Sequence, residues 1–279
     1  MNNNDPDIPI TVVIPVKNEE ANLALCLSCL KRFKEVVIVD SNSDDKTPEI
    51  AQEFGFRVVN FNWNGEYPKK RNWYLLNETP SQPWVLFLDA DEFINNEFCD
   101  AVKKAISQDG INGFWLSYQN YFLGNPLRFG IPQRKLALFR VGAGLYERIE
   151  ESFWSRLDME IHEHPIIEGK VREIGARIDH KDYKGLATFI GKHLEYARWE
   201  ASRFKTLKNS PDTWLHFTKR QTFKYSHIRK SWYPAFYFCY TFFIKGGFLD
   251  GHTGFHYAYY KSWYFRTIRL LIEEDDLEA

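Results

Sequence analysis

ITVVIPV, Ile10 to Val16, is followed by three similar runs: VVIVD (Val36 to Asp40), RVVNF (Arg57 to Phe61) and WVLFLD (Trp84 to Asp89). Runs this continuously apolar suit strands buried on both faces of a parallel sheet, whereas half-exposed strands alternate. Between them, Asn18 to Phe33 puts Leu23, Cys26, Leu27, Leu30 and Phe33 on one helical stripe. Thr47 to Phe54 opens with a capping threonine, carries Pro48 at the first helical position and stops at Gly55. This βαβαβ order predicts an α/β fold with a doubly wound, mostly parallel sheet. Working outward, Asn95 to Ser107 reads as a further helix, with Phe98, Val102, Ala105 and Ile106 on one face. GFWLSYQNYFLG and KLALFR read as strands extending the sheet. From about Tyr183 the chain turns helical, basic and aromatic, so two regions are expected: a sheet domain over 1–180 and a helical C-terminal extension over 181–279.

The 279 residues carry a formal net charge of −1, which gives no whole-chain case for nucleic-acid binding. The balance hides an asymmetry: residues 181–272 hold 16 Lys/Arg against 5 Asp/Glu, and 1–180 hold 20 against 27. The basic part contains WYPAFYFCYTFF (Trp232 to Phe243) and GFHYAYYKSWYF (Gly254 to Phe265). Aromatic rings among lysines and arginines suit the headgroup boundary of an anionic membrane, and Lys219, Arg220, Lys224, Arg229 and Lys230 flank the first run. That run is shorter than the ~20 residues a spanning helix needs, so it is expected to lie on a membrane or pack in a core, not to cross. MNNNDPDIPI has neither a cationic start nor a long apolar stretch, so no signal peptide is expected and the cysteines are expected to stay reduced. Cys26 and Cys29 share the apolar helical stripe, which favours packing over metal or redox chemistry.

Ligands of open α/β sheets bind beyond the carboxyl ends of the strands. Here strand one runs into Pro15, Lys17, Asn18 and Glu19; strand two ends at Asp40 to Asp44; strand four ends Asp89, Ala90, Asp91. So many acids at one edge repel one another unless cations or hydrogen-bond donors answer them. Two carboxylates one residue apart at the end of a buried strand can hold a hard divalent ion, Mg2+ or Mn2+, on a diphosphate. There is no GxxxxGK[ST] motif, no glycine in the first strand-to-helix turn and no HExxH, which excludes a P-loop, a dinucleotide fingerprint and that type of zinc protease. The plain structural alternatives are a solvated turn at Asp89–Asp91, a turn or cap at Asp40–Asp44, an exposed helix face at Lys69–Arg71, and surface or core roles for His162, Glu163 and His164.

TVVIPVKNEEANL, VVIVDSNSDDKTPEIA, KKRNW and WVLFLDADEFI, in this order, resemble family 2 glycosyltransferases of the GT-A type. SFWSRLD, IHEHP and FLDGHTGFHYA resemble the branch containing lipopolysaccharide-core glucosyltransferases. The resemblance implies an inverting transfer from a nucleotide-diphosphate sugar, UDP-linked, to a lipid-linked or lipopolysaccharide glycan, by a cytoplasmic enzyme peripheral on the inner face of the cytoplasmic membrane. It implies donor contacts from Pro15, Asn18, Glu19, Asp40, Ser41, Ser43, Lys70, Arg71, Asn72, Asp89 and Ala90, with Arg140 and His162 from the second half. Asp91 would hold the metal together with His164, and Glu163 would be the base. In an extended strand His162 and His164 share a face opposite Glu163, so these three converge only if the chain turns at Pro165. A nucleotidyltransferase and a non-catalytic nucleotide- or glycan-binding module are the rival classes. The first calls for a Gly-rich basic loop after strand one, which PVKNEEAN is not.

Overall fold

In a computed structural model the described residues are 6–149, 158–160, 163–182, 184–208 and 217–278, with backbone alone at 208 and 275–278. The first strand, β1 (Ile8–Val16), is buried on both faces. Ile8, Ile10, Val12, Ile14 and Val16 face one core with Leu23, Leu27, Phe98 and Val102, while Val13 faces a second with Val37, Val39, Tyr74 and Phe87. β1 pairs in parallel with β2 (Phe33–Asp40) and with β4 (Trp84–Phe87), and β2 pairs in parallel with β3 (Arg57–Asn60). Among the described residues the sheet runs β3-β2-β1-β4-β8-β6-β11-β5, with β7 on β6. The later strands are β5 (Glu92–Phe93), β6 (Ile111–Phe122), β7 (Asn125–Leu127), β8 (Arg134–Arg140) and β11 (Lys170–His180), while β9 (Gly144–Tyr146) and β10 (Pro165–Ile167) form a separate antiparallel pair.

The helices of this part are α1 (Leu23–Ser28), α2 (Thr47–Glu53), α3 (Lys70–Asn77) and α4 (Asn96–Ile106). α1 is shorter than the periodicity predicts. Asn18 adopts φ +56°, a left-handed conformation that no helix continues through, and the following backbone is tied to the next loop: Glu19 N–H donates to Thr47 Oγ1 at 2.8 Å and Glu20 N–H to Asp45 Oδ2 at 3.1 Å. Phe33, the last residue of the apolar stripe, instead opens β2. Cys26 is buried and Cys29 partly so, both as free thiols in the first core.

The chain divides into two compact units, Met1–Gln119 with Gln133–Asp182, and Asn120–Pro132 with Tyr183–Ala279. The second contains α5 (Leu186–Lys208), α6 (Lys219–His227), α7 (Tyr233–Cys239), a π-helical turn (Tyr240–Ile244), a 3-10 turn (Gly247–Asp250) and α8 (Gly251–Glu278). Its core joins Ala197 and Ala201 of α5 to Ile228, Tyr233, Tyr264, Phe265, Ile268 and Ile272. Among the described residues no helix is long and apolar enough to cross a membrane.

In β9, Gly144 lies so close to β10 that a methyl group on it would stand 2.0 Å from the Ile166 carbonyl oxygen. Gly144→Ala is therefore expected to separate the two strands and cost about 1–3 kcal/mol in urea unfolding. Gly175→Ala, placed in open space within β11, is expected to stay within about 0.5 kcal/mol of the parent.

Candidate active site

Strand register sets the site. Asp40 stands opposite Val16, and the Leu88 N–H reaches the Val13 carbonyl at 3.1 Å, so the strand ends bearing Asp40, Asp89 and Asp91 reach one edge of the sheet. There Asp40 accepts from the Ser43 hydroxyl at 2.5 Å and the Ser43 N–H at 3.1 Å, and the same hydroxyl accepts from the Asn18 N–H at 2.9 Å. Asn18 Oδ1 in turn accepts from the Asp44 N–H at 3.0 Å. Pro15 lies within β1 opposite Val39, and the Glu19 carboxylate accepts from Asn22 at 2.9 Å. The two strand-to-helix loops thus form one hydrogen-bonded rim.

The N-terminus of α3 enters this rim with three consecutive cations. Lys69 to Arg71 are buried, which corrects the exposed-helix-face alternative, and each meets acids from distant segments. Lys69 Nζ donates to Glu163 Oε1 at 2.9 Å. Lys70 Nζ donates to the Val16 carbonyl at 3.1 Å and pairs with Asp158 at 3.3 Å, while Ser41 donates to Asp158 at 2.6 Å. Arg71 donates to Asp89 Oδ1 at 2.7 Å and to the Glu160 carbonyl. The helix's first amides are satisfied by the same segment: Lys70 N–H by the Asp158 carbonyl, Arg71 and Asn72 N–H by the two Glu160 oxygens at 2.9 and 3.0 Å. The Asn72 side chain, expected near the donor, makes paired hydrogen bonds with the Tyr146 backbone at 2.9 and 2.8 Å and so fixes β9.

A second cluster follows β4. Asp89 Oδ2 accepts from Lys135 at 2.6 Å, and Lys135 also reaches Glu92. Burial acts to raise the Asp89 carboxyl, but Lys135 and Arg71 override it and hold the group far below the usual range. Glu92, fully buried, shares the same ammonium without an arginine of its own, and burial, with the neighbouring Asp89 charge, pushes it up to about 6. Two carboxylates on one ammonium divide unequally: the one with the extra arginine keeps its charge, and the other is the first to take a proton as pH falls. Asp91 is opposed by His180 Nε2 at 3.5 Å. Burial is the largest single influence and raises the Asp91 carboxyl, but the His180 hydrogen bond together with the charges of His180 and Lys135 outweighs it, and the net direction is down; the imidazole is correspondingly raised. The pairing of β11 with β5, His180 opposite Glu92, brings that histidine there.

One expected donor contact is corrected. Arg140 faces Trp84, the first residue of β4, donates to the Ile111 carbonyl at 3.0 Å and covers the Trp84 ring at 4.6 Å. β8 runs antiparallel to β4, so its last residue lies at the far end of the sheet; the residue it delivers to the acid edge is Lys135, near its start. Ala90 packs its methyl in the first core with Leu88 and Ile94, leaving only its backbone to the site. His162 lies outside the described residues. The His164 ring lies tilted beside Trp115, with centroids 6.2 Å apart, and its carbonyl accepts from Glu147 N–H. Sequence reasoning missed Asp158, Glu160, Glu92, Lys135 and His180; the acid directly after DAD was a legible signal for Glu92 alone.

This fold and this edge define a glycosyltransferase of the GT-A type. The chain belongs to glycosyl transferase family 2, whose profile matches residues 11–157, more than half of the chain. It is similar to the lipopolysaccharide core biosynthesis glycosyltransferase LpsC of Rhizobium meliloti, at 29% identity over 273 residues covering 91% of this chain and 90% of that protein. An uncharacterised glycosyltransferase of Rickettsia typhi is 27% identical over 250 residues, 88% of this chain and 80% of its own. Glucosyl-3-phosphoglycerate synthase of Mycobacterium tuberculosis overlaps 41% of this chain and 44% of its own at 26% identity and a TM-score of 0.31, too partial to bear on donor or metal.

Neutral Glu92 is the better-tolerated form in its buried place. Its contribution is complete below the ordinary carboxyl value of 4.5 and is lost as pH rises through about 6. The melting temperature of the parent is therefore expected to fall relative to Glu92→Gln between these values. A constant difference across that interval would place the proton elsewhere.

Proposed function

We propose that this glycosyltransferase moves a sugar, with inversion, from a UDP-sugar to a hydroxyl of a lipid-linked or lipopolysaccharide glycan, working as a peripheral protein at the cytoplasmic face of a membrane. The first unit provides the donor and catalytic machinery and the basic, aromatic second unit meets the acceptor or the lipid surface. The carrying observation is the unequal engagement of the DxD acids: both Asp89 oxygens are taken by Arg71 and Lys135, whereas His180 at 3.5 Å is the cation described at Asp91.

Among the described residues no three metal-ligating side chains gather, which suits an ion held by one carboxylate with water and phosphate oxygens as its other ligands. Asp91 would hold Mg2+ or Mn2+, with His180 beside it, and the ion when bound supplies positive charge for the departing diphosphate. Asp40 would accept from the base, with Ser41, Ser43 and Asn18 keeping that wall in place. Glu163 would take the acceptor hydroxyl proton while the oxygen attacks the anomeric carbon and the electron pair of the breaking bond leaves on the diphosphate.

Asp91→Ala is expected to lower donor turnover about a thousandfold and to remove the effect of Mg2+ or Mn2+ on UDP binding in titration calorimetry, with the melting temperature little changed. Near-normal turnover would overturn the assignment. Release of pyrophosphate instead of UDP would favour a nucleotidyltransferase, and absence of any UDP binding a non-catalytic module. Glu163→Gln is expected to reduce kcat by about 10²- to 10⁴-fold. Because it also strands the buried Lys69, the double variant Lys69→Met/Glu163→Gln should recover stability without recovering turnover.

A further inference from the structure

The second unit carries an exposed apolar tip whose backbone is held rigidly. Between α7 and α8 the chain makes its π-helical turn, Lys245 N–H donating to the Tyr240 carbonyl at 2.8 Å, and then doubles back through the 3-10 turn. The fold there tolerates no side chain: a methyl on Gly254 would lie 2.0 Å from the Gly247 carbonyl oxygen, and one on Gly247 would lie 2.9 Å from that of Thr241. A second segment is tied to the same turn, with Phe129 N–H donating to Asp250 at 2.9 Å and Gly130 N–H to the Lys245 carbonyl at 2.9 Å. Phe129 and Leu249 both lie against Gly246.

This fixed framework displays large apolar groups to solvent: Ile244 is 73% exposed, Leu249 58%, Phe243 57%, Phe248 49% and Phe129 46%. A loop that needed only to connect two helices would have no use for such a set. Exposed apolar residues scattered singly are ordinary, but four on one tight turn with a fifth, Phe129, on the segment tied to it mark a contact surface. The exposed cations Arg128 and Lys245 adjoin it. From Phe217 to Lys261 the sequence holds seven Lys/Arg and a single acid, Asp250, whose carboxylate is engaged by Phe129 N–H. Exposed aromatic and aliphatic groups serve protein interfaces as well, but seven cations against one acid call for an anionic surface, and an anionic bilayer answers both features: apolar side chains enter the headgroup–acyl boundary and cations meet the lipid phosphates.

We infer that Phe129, Phe243, Ile244, Phe248 and Leu249 form a wedge that inserts into one leaflet of an anionic bilayer, with Arg128 and Lys245 at its rim. This rests on the membrane part of the proposed function and assigns it to a specific element. The test is flotation of the full chain with vesicles of phosphatidylglycerol and phosphatidylethanolamine at low and high salt. Ile244→Ser/Leu249→Ser removes apolar surface without adding charge, at positions that carry little packing, and is expected to weaken partitioning by about tenfold or more at both salts. Arg128→Ala/Lys245→Ala is expected to weaken it at low salt and to match the parent at high salt, where screening already removes that contribution. Both should keep parental donor hydrolysis and melting temperature.

Flotation of the serine variant equal to the parent would overturn the wedge while leaving membrane binding intact. Failure of the parent itself to float at either salt would overturn both. A parent that is dimeric by light scattering and becomes monomeric in the serine variant would assign the tip to a second copy of the chain and overturn the wedge equally.

Discussion

The site depends on the burial of three successive cations at the start of α3. Lys69, Lys70 and Arg71 leave water together, and a buried charge without a partner costs several kcal/mol. The cost is met by Glu163, Asp158 and Asp89, acids drawn from two segments far apart in sequence, while Glu160 closes the helix's own amides. Because each cation has a different acid, α3 cannot shift along its axis or rotate without stranding at least one charge. The helix therefore acts as a peg that fixes the end of β4, residues 158–160 and Glu163 against the end of β1, and the wall containing Asp40 is held through Ser41 and Asp158. Helix propensity has little part in this: eight residues are too few to be stable alone, and Tyr74 supplies the packing from the other side.

The same pairing changes what the acid-rich edge means. Gathered carboxylates imply that positive charge must come from somewhere, and a bound ion was the obvious source. Much of it comes from the chain itself, since Arg71 and Lys135 neutralise Asp89, Lys135 reaches Glu92 and Lys70 answers Asp158. What is left for a ligand is narrower than the motif implies, and centres on Asp91. An internal counter-charge of this kind also lets the edge stay folded before any nucleotide arrives, which a site relying on an ion alone could not do as easily.

How much of this was legible follows from what each feature needs. The parallel strands need only continuous apolar runs, and ITVVIPV, VVIVD and WVLFLD supply them, so the sheet and its acid-bearing edge can be read directly. α3 is harder, because KKRNWYLLN presents its charges first and charge usually signals a solvated face. Its burial depends on acids nearly ninety residues away, a contact no local pattern encodes. Strand direction accounts for the exchange of Arg140 for Lys135: composition marks KLALFR as a strand without saying which end meets the site. The histidine beside Asp91 was sought in IHEHP, but the partner described there is His180, delivered by the pairing of β11 with a two-residue strand too short to be recognised.

The aromatic C-terminal stretch shows why composition alone could not choose between core and membrane surface: both answers hold, residue by residue. Tyr233, Tyr264 and Phe265 are buried against α5 and one another, while Phe243 and Ile244, at the end of the same apolar run as Tyr233, are exposed. Two neighbouring features of backbone geometry separate them. A regular helix through Tyr233 to Ile244 would carry one apolar stripe into one core, but the π-helical turn rotates the residues after Cys239, and the close approach of Gly254 to Gly247 then folds the chain back. The glycines do not make the turn flexible; they let two backbones meet where any side chain would hold them apart, and the large residues between them are turned outward as a result. Trp232 and Phe236 are already exposed in the α-helical part, so the run divides its surface both by helical periodicity and by where the backbone departs from α-helical geometry, which hydropathy averaged along the run cannot register.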